Sequence, residues 1–232
     1  TVLGLLGPNG AGKSTLVDLI TGIQRADAGK MILDGRPLTG SASARAGAGL
    51  ARTFQHPLLV EELSAIDNIL IGGYSQHMRT VRGVIGRVLR ETFGLSSTRR
   101  EKARCDELLA DYDLPDPHTL ASDLSLGEQR LIEVARALMT SPSVLLLDEP
   151  FAGSDPHSRE AIVGMIRSVV EQGSSVILVD HNVDIVTSVA DRIVLMSEGA
   201  NAFEGTAADA LASQAMHDVY FGGPVDLEAD NA

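Results

Sequence analysis

Apolar residues in this chain occur in two textures. Short unbroken runs, at residues 1–6, 144–147 and 175–179, read as strands buried on both faces. Elsewhere apolar positions recur every three or four residues, the spacing of a helix with one buried side. Leu16, Val17, Leu19 and Ile20 predict a first helix, and Leu63, Ile66, Ile69 and Leu70 open a largely helical stretch over 60–124. Leu131, Val134, Ala135 and Leu138 predict another helix, and 159–171 one more. Residues 31–36 read as a strand ending in an Asp-Gly turn, 40–49 as a loop or short helix, and 49–55 as a strand-like run ending at Gln55. Residues 192–196 and 201–204 form a hairpin around Glu198-Gly199, and 217–221 a packed tail helix. Strands alternating with helices predict an α/β fold around a mostly parallel sheet.

Two segments stand apart. In 77–104, eight of the chain's 19 basic residues (Arg79, Arg82, Arg87, Arg90, Arg99, Arg100, Lys102 and Arg104) face two acids, Glu91 and Glu101. Val81, Val84, Ile85, Val88 and Leu89 keep helical spacing there, with Arg79, Arg82, Arg87 and Arg90 on the other side, although Gly83 and Gly86 weaken a helix. That face is either a solvated surface or one turned to an anionic membrane or a membrane partner. Residues 224–232 carry Asp226, Glu228 and Asp230 with little to bury, and are expected to be disordered.

The first chemistry lies in Gly7-Pro8-Asn9-Gly10-Ala11-Gly12-Lys13-Ser14-Thr15, which fits the phosphate-binding pattern G-x-x-x-x-G-K-[ST]. Glycines let the backbone turn its N–H groups inward around an anion, and the helix that follows adds its positive N-terminal end. Lys13 would reach the outer phosphates, and the Ser14 hydroxyl would ligate Mg²⁺. Asp148 and Glu149 end the buried run 144–147, at the sheet edge where open α/β folds bind ligands. There one acid can complete the metal site and a second can orient or deprotonate water. Ser125 with Glu128 three residues later is a capping-box pattern, and His181 closes another strand. Alone, these last two read as an ordinary capped helix and a loop histidine, and Gln55 as a surface residue.

Composition narrows the reading further. A net charge of -12 argues against a broad grip on nucleic acid. A lone cysteine, Cys105, excludes an internal disulfide and reads as a small apolar filler. The aliphatic runs are too short to span a bilayer, so a membrane role is expected to run through a partner. His56, His77, His118 and His157 lack metal-ligand spacing. Because Thr1 already lies in a strand, the chain reads as a piece of something longer.

In this order, the pieces resemble the nucleotide-binding domain of ABC transporters over nearly the whole chain. The resemblance identifies Gln55 as the Q-loop glutamine, and Ser125, Leu126, Gly127 and Glu128 as the signature. It makes Asp148 and Glu149 the Walker B acids, Ser154 and Asp155 the D-loop, and His181 the switch histidine. The signature commonly reads L-S-G-G-Q, so Leu126 and Glu128 are departures, and the family's upstream strands with their adenine-stacking aromatic are missing.

The resemblance implies a P-loop NTPase core (1–55 and 141–222) with an inserted helical subdomain (56–140) and a disordered acidic tail (223–232). It implies ATP and Mg²⁺ as cofactors, the metal held by Ser14, Gln55 and Asp148, and Lys13, Gln55, Glu149 and His181 at the reacting phosphate. The partners implied are a second ABC ATPase domain, as homodimer or heterodimer, and integral membrane permease subunits, with the chain peripheral at the cytoplasmic face of the inner membrane. Residues 51–55, the insertion from Tyr74 and the ending 218–222 are similar to branched-chain amino acid importer ATPases. Residues 148–153 and 180–183 are similar to lipopolysaccharide-export ATPases. A non-transport ABC ATPase acting on DNA or ribosomes would need coiled-coil arms or a second cassette, and a GTP switch would not need the signature segment.

Overall fold

The computed structural model describes residues 1–77 and 97–221; the arginine stripe at 79–90 and the acidic tail lie outside the described residues. The strands are β1 (Val2–Leu6), β2 (Ile32–Leu33), β3 (Arg36–Pro37), β4 (Leu50–Arg52), β5 (Val144–Asp148), β6 (Ser175–Val179), β7 (Arg192–Ser197) and β8 (Ala200–Thr206). The helices are α1 (Lys13–Thr21), α2 (Ala42–Gly47), α3 (Ala65–His77), α4 (Ser97–Asp111), α5 (Leu126–Leu138), α6 (Pro156–Glu171), α7 (Val183–Val189), α8 (Ala207–Leu211) and α9 (Gln214–Phe221).

The main sheet runs β4-β5-β6-β1-β7-β8. All its neighbours are parallel except β7 with β8, whose hairpin turns at Glu198-Gly199. Chain order therefore reverses around β1, which lays its C-terminal end, and those of β4, β5 and β6, along one edge.

Alternation along each strand splits the core into two layers. Leu5, Leu146, Val179 and Met196 face Leu16, Val17 and Ile20 of α1. Leu6, Leu145, Leu147, Val176, Leu178, Ile193 and Leu195 face the other way, into a cluster with α3 to α9. Burying one such leucine stabilises by about 1.5–3 kcal/mol. Cys105 sits in this cluster with no exposed surface, as a small apolar residue does.

Three expectations shift in detail. Residues 31–36 form the β2–β3 hairpin rather than one strand, because Asp34 (φ 49°) and Gly35 (φ 73°) both adopt the left-handed conformation that a two-residue hairpin loop needs. The strand expected over 49–55 ends at Arg52. The Thr53 N–H still donates to the Leu146 carbonyl at 2.9 Å, but Phe54 and Gln55 peel away toward α5. The helix expected at 159 begins at Pro156, since the Asp155 carboxylate accepts from the His157 and Ser158 N–H groups and proline suits the first helical position.

Arg45 of α2 closes the far end of α1, donating to the Ile20 carbonyl at 2.8 Å and to that of Leu19. Buried Asn68 of α3 likewise satisfies both backbone groups of Val60 and the carbonyls of Leu63 and Ser64. Among the described residues no helix is long and apolar enough to cross a membrane.

Candidate functional site

The loop between β1 and α1 is fixed from three directions. The Gly7 N–H donates to the Tyr220 hydroxyl at 2.9 Å, and the Gly199 N–H of the β7–β8 turn donates to the Ala11 carbonyl at 3.1 Å. Lys13 donates to the carbonyls of Gly7 (2.6 Å) and Pro8 (3.1 Å). Gly12, at φ 95°, caps α1 without a side chain, and the first turn carries no acid. The free N–H groups of α1 and its positive end are thus left for an anion. Pro8, Asn9, Gly10, Ser14 and Thr15 are exposed around the opening, and Ala11 is buried beneath it.

Lys13 is 9% exposed. Burial holds its ammonium below the usual lysine range, against the pull of Glu149, Asp148 and Asp180. These three acids end β5 and β6, so the sheet edge sets carboxylates opposite the phosphate loop. Glu149 turns out of β5 at φ 49°, its N–H tied to the Val179 carbonyl at 2.7 Å. Its carboxylate accepts from the Gln55 amide at 3.3 Å, which brings two predicted site residues from distant segments into contact. His181 is exposed beside them, with Nδ1 3.6 Å from Asp180.

Residues 125–128 sit apart from this cluster. Ser125 caps α5 through the full capping box: its hydroxyl accepts from the Glu128 N–H, and the Glu128 carboxylate accepts from the Ser125 N–H at 2.8 Å. Their neighbours are the predicted D-loop residues. A Cβ on Gly127 would lie 2.5 Å from Ser158 Oγ and 2.8 Å from Asp155 Oδ2, and one on Gly153 would strike Leu126, itself 45% exposed. Asp155 is held below the usual carboxylate range by the Ser158 hydroxyl first and by backbone N–H groups next. Ser154 is buried, and its carbonyl accepts from Arg159 at 2.9 Å.

Four charged side chains escaped the motif pattern. Arg52 bridges Asp18 of α1 (2.6 Å) to Asp148 (2.9 Å) and stacks on the Phe54 ring, its carbon Cζ 5.0 Å from the centroid. Its signal in the sequence is an arginine at the end of a short apolar run. Arg130, Glu133 and Arg136 hold the backbone of 54–58. They lie on the side of α5 away from Leu131 and Leu138, where charge normally means water.

The donor set suits magnesium bound with a phosphate. Ser14, Gln55 and Asp148 offer the hard oxygens this ion prefers. Among the described residues no three of His, Cys, Asp and Glu converge into a metal cage, so phosphate oxygens would have to complete the shell. Asp180 Oδ2 is buried with no hydrogen-bond partner among the described residues, an orphan that a phosphate-bound water would satisfy. A cleft of about 250 Å³ opens behind the site, between α2, β4, α3 and α5, with Arg52, Glu133 and Arg136 in its wall.

The sequence pattern of the ABC transporter family matches residues 1–152. Among curated proteins, a high-affinity branched-chain amino acid transport ATP-binding protein, BraF of Pseudomonas aeruginosa, is 32% identical over 88% of this chain and 80% of its own. A probable branched-chain amino acid transport ATP-binding protein, LivG of Archaeoglobus fulgidus, is 34% identical over 94% and 83%. A lipopolysaccharide export system ATP-binding protein, LptB of Escherichia coli K12, is also 34% identical, over 95% and 86%. Among solved structures, the ADP conformation of an ATP-binding cassette of an ABC transporter superposes with a TM-score of 0.77 at 28% identity, over 95% of this chain and 87% of that one.

Proposed function

The chain belongs to the ABC transporter family as an ATP-hydrolysing member, and from that premise we propose that it powers a membrane permease that imports branched-chain amino acids or similar small polar solutes. One observation carries the catalytic half of this reading. A buried ammonium, Lys13, has two carbonyl partners and faces three carboxylates across the opening of a phosphate loop. An ATP phosphate chain with its cation fits between those charges.

In this reading residues 7–15 cradle the phosphates through backbone N–H groups, and Lys13 contributes its charge to the outer two. Ser14, Gln55 and Asp148 would hold Mg²⁺, which would supply charge neutralisation on the phosphate oxygens. Glu149 accepts a proton from, and orients, the attacking water; Gln55, hydrogen bonded to it, fixes its direction. His181 contacts the γ-phosphate from the end of β6. Residues 125–128 lead α5, whose N-terminal end faces a second ATPase domain's nucleotide in a head-to-tail pair, with Ser154 and Asp155 beside them. In a homodimer both copies then give and receive the same patch. Residues 1–55 and 141–222 act as the catalytic core and 56–140 as the helical subdomain, and the cleft lined by Arg52 and Arg136 receives the permease. The chain would work at the cytoplasmic face of the inner membrane.

BraF and LivG support the amino acid reading; LptB, equal to LivG in identity, supports lipopolysaccharide export as the second. Glu149→Gln tests the chemistry. It should keep ATP binding while lowering turnover on the order of 10²-fold or more, since shape is retained and the basic carboxylate is lost. Turnover near that of the parent would overturn the role. Leucine uptake into vesicles bearing the cognate permease, against lipopolysaccharide release, separates the two transport readings.

A further inference from the structure

The helix led by Ser125 also grips the loop that carries Gln55. Arg130, Glu133 and Arg136 lie three residues apart on α5, the first two 3% and 2% exposed. They come no closer to each other than 3.9 Å (Arg130–Glu133) and 3.8 Å (Arg136–Glu133). Their short bonds go to backbone instead. Arg130 donates to the Phe54 carbonyl at 2.8 Å and to the Gln55 carbonyl; Glu133 accepts from the Phe54 N–H at 3.2 Å; Arg136 donates to the Leu58 carbonyl.

Burying two charges and partly burying a third is a costly way to fix a loop. Nearby, a single neutral side chain, Asn68, bonds the backbone of Val60, Leu63 and Ser64. Burial pushes the Glu133 carboxyl up and both arginines down. Glu133 Oε2 and Arg130 Nε have no hydrogen-bond partner among the described residues. Charge sites of this kind are often less stable than apolar replacements, which points to a purpose other than stability.

We propose that Arg130, Glu133 and Arg136 are positioning residues that lock Gln55, and through it Glu149, to the helix led by Ser125, so that loop and helix shift as one body. Eight residues of helix, roughly 12 Å, separate Ser125 from Glu133. Rigid helix and direct bonds span that distance without a flexible joint. The inference rests on the reading that Ser125 meets the nucleotide of a second ATPase domain. A displacement at Ser125 then resets Gln55 against Glu149, and occupancy of one ATP site is felt at the other.

The test uses the full chain with Glu133→Leu and Arg130→Met, beside the conservative Glu133→Gln, which keeps an oxygen for the Phe54 N–H. Steady-state ATPase against ATP concentration, binding of a fluorescent ATP analogue and thermal melting are recorded for each. The apolar variants should lose about tenfold in kcat and bring the Hill coefficient to unity, while analogue affinity changes less than about threefold. Glu133→Gln should recover most of the loss. Unchanged kcat and Hill coefficient in the apolar variants, or equal losses in Glu133→Leu and Glu133→Gln, would overturn the proposal. A parent chain without cooperativity would sink only the two-domain reading; kcat loss rescued by Glu133→Gln would still place Gln55 under the control of α5.

Discussion

Arg52 gives the sharpest test of how the site is held together. Its side chain is 12% exposed and bonds Asp148, 9% exposed, at 2.9 Å and Asp18, 35% exposed, at 2.6 Å. Arg52→Met keeps the length of the stem and removes both ion pairs, together with the longer bond to Thr21 Oγ1. The Asp148 arm is a charge-assisted bond with little solvent to replace it, about 1.5–3 kcal/mol. The Asp18 arm is partly screened and adds about 0.5 kcal/mol. Loss of the contact with Phe54 adds a similar amount. The sum is about 3 kcal/mol, which for a chain of this size lowers Tm by roughly 6–12 °C. Much of that cost is the carboxylate left uncompensated at position 148. The double variant Arg52→Met with Asp148→Asn should therefore melt higher than Arg52→Met alone. Scanning calorimetry on the parent, both single variants and the double variant closes the cycle. A single variant within about 2 °C of the parent, or a double variant no more stable than Arg52→Met, would refute the reasoning.

Lys13→Ala should weaken ATP binding by about 2–5 kcal/mol, because a buried phosphate charge loses its partner; titration with a fluorescent analogue measures it, and unchanged affinity places Lys13 away from the phosphates. Gly127→Ala should force α5 off α6, since its Cβ would lie 2.5 Å from Ser158 Oγ. It should cost roughly 1–3 kcal/mol in melting and lower kcat more than ATP affinity; a variant equal to the parent in both would show that the two segments are not packed this tightly. The Cys105 thiol, fully buried and raised from 9.0 to about 11 chiefly by desolvation, should alkylate far more slowly in the native chain than in urea. The folded state favours the protonated thiol, so this group's contribution is intact below pH 9.0 and fades toward about 11. Equal alkylation rates at pH 8 would contradict the burial.

What could be read from residue order alone was local. The glycine-rich turn from β1 into α1, the capping box of Ser125 and Glu128, and the acids closing β5 each need only neighbours in sequence, and the structure forms them where they were expected. The alternating strand and helix signals led to the parallel sheet for the same reason. The charged residues that join these pieces were opaque. Arg52 meets Asp148 across 96 residues, and Arg130 meets Phe54 across 76. No periodicity distinguishes an arginine that bonds a distant carbonyl from one that bonds water. Strand β4 was misjudged in length for the same cause, since the α5 side chains that draw Phe54 and Gln55 off the sheet lie far along the chain. The β2–β3 hairpin was half legible: its Asp-Gly turn was recognised, and the short partner strand beyond it was not.

The backbone at Glu149 has a consequence for how this chain can be improved. A non-glycine residue in the left-handed region costs on the order of 1 kcal/mol or more, and glycine or asparagine would adopt φ 49° more cheaply. Selection for thermal robustness alone would therefore discard the glutamate. Computational stabilisation that scores only the melting point should be drawn to position 149 and, with the catalytic role proposed for Glu149, return a sturdier protein with lower turnover. If Glu149 acts as proposed, keeping that uncomfortable residue is a compromise between durability and turnover at this sheet edge.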